Sequence, residues 1–287
     1  MNEHVRSWNV EKNAHSQINA QRDLVGHQLP EQRRRRIIDL LDSQEAADVG
    51  SLASTFGVST ATIRRDLQQL EESGHLQRTH GGAVTSSSTA FEPLHAVKAQ
   101  ERQAEKNAIA REAASFVKDG DVIALDSGST TLALARLLKR HHNLTVITAD
   151  LKVALEIADA PGVETILVGG QVRPGLYSIV GPTAEQNLGH FRANHAFLGA
   201  DAIDLEAGIS NATMLEVGVK RQVINTAPNV VLLADHSKFE RTSLVRVAEL
   251  SAFDQIITDD GIAPSIVDRY AKRGVQLRLA RTETSLS

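Results

Sequence analysis

The chain has 287 residues, a formal net charge of −4 at pH 7 and no cysteine. This length suits about two domains of an ordinary globular protein, and the lack of cysteine excludes disulfides, thiolate metal sites and thiol nucleophiles. The sequence contains no stretch of about 18 consecutive apolar residues, so we predict no membrane span.

Residues 1–29 are polar and lack the apolar core that a signal peptide requires. We expect them to form a disordered tail, and we expect the protein to be cytoplasmic. A start codon placed too early would account for this segment equally well.

Residues 30–85 carry the pattern of three helices followed by a hairpin. Apolar spacing predicts a helix around residues 36–41, a second over about 49–55 and a third over 60–72. Gly57 and Ser59 predict a sharp turn that ends in an N-cap, and Gly81-Gly82 predicts a two-stranded hairpin. This order of elements indicates a winged helix-turn-helix, which binds DNA.

The third predicted helix has one apolar face and one polar face that is rich in hydrogen-bonding side chains. Residues 30–85 contain seven Arg and Lys against eight Asp and Glu, so charge alone favours a solvated surface as much as DNA. The distribution of the arginines favours DNA, because they occupy the start of the first helix and the polar face of the third. The candidate DNA contacts are Ser59, Thr60, Thr62, Arg64, Arg65 and Gln68, with Arg33 and Arg34 acting through phosphates.

The segment VSTATIRRDLQQLEESGHLQRTHGGAV, residues 58–84, closely resembles the DNA-binding domain of the DeoR family of bacterial transcriptional regulators. The resemblance implies that double-stranded operator DNA is a partner and that Thr62, Arg64 and Arg65 contact it. It also implies that Arg78 and His80 lie on the wing beside the DNA backbone.

Residues 86–106 are predicted to be a short linker followed by a helix, and residues 107–281 an α/β domain. Apolar strands separated by helices predict a mostly parallel sheet that is covered on both faces. The predicted strands are 121–126, 144–148, 164–170, 195–200, 229–235 and 254–260. The predicted helices between them are 131–140, 150–159, 184–190, 212–226 and 263–272.

Ligands of open parallel sheets bind beyond the carboxyl ends of the strands, so the segments that follow the strands are the candidate site. The first strand leads through glycine and small hydroxyl residues into a helix N-terminus, which suits an anion. A tight strand-to-helix turn would use the same residue types, and each candidate lysine could equally be a solvated surface residue. The candidate effector residues are Asp126, Ser127, Gly128, Ser129, Thr130, Thr131, Gly169, Gly170, Asp201, Lys220 and Lys238.

The pieces ALDSGSTT, VITADLKVA, ILVGGQVRPG and LLADHSKF resemble the sensor domain of DeoR-type regulators, which is related to sugar-phosphate isomerases. The resemblance implies a phosphorylated sugar or related small molecule as effector. An isomerase-like enzyme is one alternative, but the segment LGADA, residues 198–202, keeps Asp201 and lacks two acids that isomerases carry there, which favours binding without turnover. A ligand-independent DNA-binding protein is the other.

We therefore predict a ligand-responsive transcription factor, a repressor of a sugar catabolism operon, and not an enzyme. A single winged helix buries too little surface for tight specific binding, so we expect a homo-oligomer, either a dimer or a tetramer. No cofactor is implied, and no metal is predicted because the histidines lack a ligand spacing.

Overall fold

The computed structural model describes residues 29–44, 46–72, 75–79, 81–85 and 95–282. The chain divides between residues 93 and 94 into two units, an N-terminal DNA-binding unit and a C-terminal sensor unit. The predicted tail, apart from Leu29, the predicted joint at 86–89 and His80 lie outside the described residues. None of the helices in the described part is long and apolar enough to cross a membrane.

The DNA-binding unit contains the three predicted helices and the predicted hairpin. Its helices are α1 (Pro30–Gln44), α2 (Val49–Phe56) and α3 (Thr60–Glu72), and its strands are β1 (Ala46–Asp48), β2 (Leu76–Arg78) and β3 (Gly82–Thr85). The three strands form an antiparallel sheet in the order β1-β3-β2. The helices and the sheet enclose one apolar core, to which Ile37, Leu52, Ile63 and Leu67 contribute. The winged helix-turn-helix is confirmed.

Strand β1 was not predicted, because its three residues are too few to show the alternating pattern of a strand. Its pairing with β3 depends on Gly82, since a Cβ atom at that position would lie 2.2 Å from the carbonyl oxygen of Ala47. Glycine is therefore required for the close approach of the two strands.

A buried salt bridge joins α1 to α3. The Nε atom of Arg33 lies 2.6 Å from Oδ2 of Asp66, and the side chains are only 9% and 4% exposed. Arg33 was predicted to act through DNA phosphates, and its burial against Asp66 contradicts that prediction. The physical reason is that a buried carboxylate such as Asp66 requires a cationic partner, and Arg33 is on the helix that covers it.

Loss of Arg33 should destabilise the DNA-binding unit, because the buried Asp66 carboxylate would keep only the longer contact of 3.7 Å with Arg34. We expect Arg33→Gln to lower the free energy of unfolding of this unit by about 3 kcal/mol, measured by urea denaturation. The matched control is Arg35→Gln on the same helix, where the side chain is exposed and the stability should change little. An equal loss in both variants would contradict a structural role for Arg33.

The sensor unit is built on a seven-stranded sheet in which every neighbouring pair is parallel, in the order β15-β14-β12-β9-β4-β5-β6. The strands are β4 (Val122–Leu125), β5 (Leu144–Thr148), β6 (Val163–Leu167), β9 (His195–Gly199), β12 (Asn229–Leu233), β14 (Gln255–Asp259) and β15 (Leu277–Ala280). The six predicted strands are confirmed with small shifts at their ends. Strand β15, a four-residue edge strand with two exposed positions, was not predicted.

Helices cover both faces of this sheet, as predicted. The sensor unit contains α4 (His95–Gln100), α5 (Gln103–Ala114), α6 (Ser129–Leu138), α7 (Leu151–Ile157), α8 (Pro182–Gly189), α9 (Val217–Thr226) and α10 (Pro264–Lys272). Helices α5, α6 and α7 share one apolar core with the sheet, and α8, α9 and α10 contribute to a second core. Alternate residues of the central strands enter the two cores, for example Phe197 one and Leu198 the other.

Short strands outside the main sheet were not predicted. They are β7 (Gln171–Val172), β8 (Ile179–Val180), β10 (Ala202–Asp204), β11 (Gly208–Asn211) and β13 (Val245–Ala248). The helix predicted to follow the linker is divided into α4 and α5, because Arg102 adopts a left-handed backbone conformation with φ of 49° between them. Helices α4 and α5 both belong to the sensor unit.

Candidate functional site

Helix α3 is held in the DNA-binding unit by local capping and by its apolar face. Gly57 ends α2 in the left-handed conformation with φ of 64°, which reverses the chain within a few residues. The backbone N–H of Thr62 then donates to the Ser59 hydroxyl at 3.1 Å, so Ser59 is the N-cap that was predicted. Ile63 and Leu67 are fully buried, which fixes the rotation of the helix about its axis.

The opposite face of α3 is exposed and carries most of the candidate DNA contacts. Ser59, Thr60, Arg64, Arg65 and Gln68 are exposed, and Thr62 is half-buried. Within the described part of the chain, neither Arg64 nor Arg65 has an ion pair with an acidic side chain. Arginines on an exposed helix face with no acidic partner are available to phosphates and to guanine edges.

Arg34 and Arg78, two further DNA candidates, have protein partners. The Nη1 atom of Arg34 donates to Oε1 of Gln69 at 2.6 Å and lies 3.7 Å from Oδ1 of Asp66, so this side chain braces α3. This contact is at odds with the prediction that Arg34 acts through phosphates. On the wing, Nη1 of Arg78 lies 3.7 Å from Oε2 of Glu71.

In the sensor unit, three buried carboxylates and the partly exposed carboxylate of Asp201 follow the carboxyl ends of four neighbouring strands. Asp126 follows β4, Asp150 follows β5, Asp201 follows β9 and Asp235 follows β12. The predicted polar residues that follow these strands therefore lie together at the carboxyl edge of the sheet. Each of these carboxylates has a cationic or backbone N–H partner, as buried charge requires.

Asp126 and Lys220 form a buried ion pair, and the Lys220 ammonium also donates to the carbonyl oxygen of Gly199 at 3.0 Å. Burial alone would lower the pKa of Lys220, but the carboxylates of Asp126 and Glu216 outweigh it and raise the pKa. We predicted that both residues contact the effector directly. Each of them is paired with the other, because a lone charge in this position would be costly, and their contact with the effector stays a prediction.

The loop from Ser127 to Thr131 joins β4 to α6 and has the conformation expected of a helix N-terminus. Gly128 has φ of 136°, and its N–H donates to Oδ2 of Asp150 at 3.3 Å. Thr130 and Thr131 are buried, and the Thr131 hydroxyl donates to the carbonyl oxygen of Gly128 at 2.9 Å. Ser127 and Ser129 remain partly exposed, so they are the side chains of this loop that a ligand can reach.

Asp150 is a buried carboxylate that adjoins this loop. Its Oδ1 atom caps α7 by accepting from the backbone N–H groups of Lys152 at 2.7 Å and Val153 at 3.0 Å. Burial raises the pKa of Asp150 to about 6, although these amides and that of Gly128 favour the ionised form.

Asp201 and Asp235 form ion pairs with cations that sequence reasoning did not assign to the site. The Nζ atom of Lys98, on α4, is 2.7 Å from Oδ1 of Asp201. Burial acts to raise the pKa of Asp201, but Lys98 and more distant lysines outweigh it and hold the pKa at about 2. Asp235 lies 3.5 Å from Nε of Arg102, and the charges of Lys238 and Lys106 lower its pKa against the effect of burial.

The sequence contained no signal for the role of Lys98 and Arg102, because both lie in a segment that was predicted as linker and helix. Lysine and arginine in such a segment are usually solvated. Their partners follow strands more than a hundred residues away in the chain, so only the folded structure brings them together.

Gly169 and Gly170 follow β6 and have structural roles. A Cβ atom on Gly170 would lie 2.7 Å from Cγ2 of Ile179, and the N–H of Gly169 donates to Oδ1 of Asn187 at 3.3 Å. Both glycines are exposed. Over the described ranges of the chain, no group of three or more His, Asp or Glu side chains is placed to hold a metal ion.

The raised pKa of Asp150 gives a prediction for stability against pH. An aspartate in the unfolded chain has a pKa of about 3.9, so the folded state binds the proton more tightly between about pH 4 and pH 6. The contribution of the protonated Asp150 carboxyl to the free energy of unfolding is therefore complete below pH 4 and is lost as the pH rises through 6.

We expect Asp150→Asn, which keeps the N-cap, to be more stable than the wild type at pH 7.5 by about 1–2 kcal/mol, measured by urea denaturation. The gain is smaller than the pKa alone implies, because the asparagine Nδ2 cannot accept from Gly128. The difference should fall by about 2 kcal/mol between pH 7.5 and pH 4 and should change sign in that range, because wild-type Asp150 becomes protonated. A difference that does not vary with pH would contradict the assignment.

Two family models together match most of the described chain. The model described as "DeoR-like helix-turn-helix domain" matches residues 33–89, and that described as "DeoR C terminal sensor domain" matches residues 101–260. A ribose 5-phosphate isomerase A from Methanocaldococcus jannaschii is similar in structure at 21% identity, covering 47% of this chain and 53% of that one. Its TM-score of 0.35 is too low to support an argument.

Curated relatives match over most of their length as well. A putative aga operon transcriptional repressor of Escherichia coli O157:H7 is 36% identical over 86% of this chain and 93% of its own. The glycerol-3-phosphate regulon repressor of Escherichia coli K12 is 34% identical over 86% of this chain and 98% of its own. The chain therefore belongs to the DeoR family and is a DNA-binding transcriptional regulator, not an enzyme.

Proposed function

We propose that this protein is a cytoplasmic repressor of a sugar catabolism operon, and that a phosphorylated sugar bound in the sensor unit controls its affinity for the operator. The observation that supports the effector class is the gathering of charged groups at the carboxyl edge of the sheet, next to a loop with partly exposed Ser127 and Ser129. Repression is supported by the names of two relatives, an aga operon repressor and a glycerol-3-phosphate regulon repressor.

The loop from Ser127 to Thr131 is the proposed binding place for the phosphate. Backbone N–H groups at the start of α6 point away from the helix, and the helix dipole favours a negative charge there. Hydroxyl groups of the sugar would bind among the polar side chains that follow β9 and β12. In this arrangement the ion pairs of Asp126, Asp201 and Asp235 hold the walls of the site in place.

Helix α3 is the proposed DNA-reading element, and at least two copies of the chain are needed for tight and specific binding. Its exposed arginines would lie in the major groove, while the wing with Arg78 would lie beside the backbone. Control by the effector requires that the effector bind the DNA-competent and the incompetent arrangements with different affinities, typically by about 1–3 kcal/mol.

Arg65 tests the DNA-reading face. We expect Arg65→Ala to weaken binding to an operator, selected from a random-sequence library, by about 1–3 kcal/mol in a fluorescence anisotropy titration. Arg35→Ala, in the same unit but on α1, is the matched control and should retain the affinity. An unchanged affinity for a folded Arg65→Ala protein would show that this face does not read DNA.

Ser129 tests the phosphate loop. Gly128 is unsuitable, because its φ of 136° would strain any other residue. Ser129 is the first residue of α6, where an aspartate is compatible with the helix dipole but repels a phosphate where screening is weak. We expect Ser129→Asp to lose the thermal stabilisation that phosphorylated sugars give the wild type, and to remain on the operator at concentrations that release the wild type.

Ser129→Asn is the control, since asparagine has the shape of aspartate without its charge and should respond to the sugar phosphate. Unphosphorylated sugars should leave the wild type unaffected. The phosphate loop would be wrong if Ser129→Asp responded like the wild type, or if the unphosphorylated sugars worked equally well.

A further inference from the structure

Helix α4 lies against the carboxyl edge of the sheet and is fastened there by ion pairs. Lys98 on α4 pairs with Asp201, and Arg102, just beyond its end, pairs with Asp235. The Lys106 ammonium donates to the carbonyl oxygens of Lys98 and Glu101, which holds the end of α4 against α5. The first described segment of the sensor unit is therefore attached to the groups that surround the proposed site.

His95 is the first residue of α4, and its imidazole ring is buried. It is 3% exposed, and within the described part of the chain neither Nδ1 nor Nε2 of its ring has a partner. Burial and then the charges of Lys152, Lys98 and Lys106 lower the pKa of His95 to about 4, so the imidazole is neutral and carries one N–H. Buried polar groups are nearly always paired, so an unpaired imidazole among cations is a candidate to donate a hydrogen bond to a ligand.

Contacts connect His95 to the proposed phosphate loop. Its ring meets the Tyr177 ring edge-on with 6.1 Å between centroids, and Nζ of Lys152 lies 4.4 Å from the Tyr177 centroid. The carbonyl oxygen of Tyr177 accepts from the N–H of Leu151, the residue after Asp150, and Asp150 accepts from Gly128. Helix α4 also packs against α6, which begins at Ser129.

We propose that α4 is a wall of the effector site: His95 donates its N–H to the anionic group of the effector, and Lys98 exchanges Asp201 for that group. Asp201 then accepts from an effector hydroxyl. This inference rests on the proposed function, because it takes the effector to be anionic and hydroxylated. It identifies α4 as the element that responds to the effector, and the chain reaches the DNA-binding unit through the residues that precede α4.

His95→Phe separates a ligand-binding role from a structural one. Phenylalanine has a similar size and keeps the edge-on contact with Tyr177, but it removes the unpaired nitrogen atoms. We expect the ligand-free variant to melt at the same or a higher temperature than the wild type. We also expect its apparent affinity for inorganic phosphate, and for the phosphorylated sugars that stabilise the wild type, to fall by about fivefold or more, measured by thermal shift. A purely structural His95 would instead give a less stable protein with unchanged affinity.

Lys98→Met tests whether Lys98 leaves Asp201 when the effector binds. Loss of the Lys98–Asp201 pair should release α4 and reproduce the effector-bound state, so the affinity for the operator should fall without any effector. Lys272→Met, at an exposed position near the end of α10, is the matched control and should bind the operator like the wild type.

The outcomes distinguish this inference from the proposed function. If phosphorylated sugars stabilise the wild type and His95→Phe equally, and Ser129→Asp abolishes the effect, then α4 is not part of the site and the proposed function stands. If Lys98→Met binds the operator like the wild type, the exchange is wrong. If neither inorganic phosphate nor any phosphorylated sugar stabilises the wild type, the proposed function and this inference both fail.

Discussion

Burial of charge at the carboxyl edge of the seven-stranded sheet is the constraint on which the sensor unit depends. A parallel sheet brings the ends of its strands to one side, and here four strands are followed by carboxylates, three of which are buried. A buried carboxylate without a partner is too costly to retain, so each one requires a nearby donor or cation. The donors come from distant segments: Lys220 from α9, Lys98 from α4, and the amide of Gly128 from the loop before α6.

The ion pairs at the carboxyl edge of the sheet can take part in regulation. A ligand that carries its own charge and hydroxyl groups can exchange partners with these pairs without leaving a charge unpaired. The cost of moving α4 is therefore small compared with the cost of breaking an ion pair in an apolar core. Ion pairs at a ligand site can thus act as the bistable element that couples one ligand to another, although isolated surface pairs contribute little to stability.

In the DNA-binding unit, too, a buried carboxylate requires a cationic partner, and this requirement separates one buried arginine from the exposed ones. Asp66 lies on the inner side of α3 and forms an ion pair with Arg33, so this arginine stabilises the fold. Arg64 and Arg65, on the outer side of the same helix, pair with none of the acidic side chains in the described part of the chain. The arginines of this unit therefore have different roles, and the face of α3 on which Asp66 lies determines which arginine is buried in an ion pair.

The sequence by itself determined the family, the two-unit organisation of elements and the polar face of α3, because these depend on local features: apolar periodicity, capping residues and turn glycines. It also identified the strand ends where a site can form. It could not determine which charged side chain pairs with which. Lys220 was predicted to contact the effector and Arg33 to contact DNA phosphates, without the carboxylates that pair with them. Lys98 and His95 were not recognised at all, because their environments are made by residues distant in the chain. Only the tertiary structure decides these pairings, since the cost of a buried charge depends on every segment that packs around it.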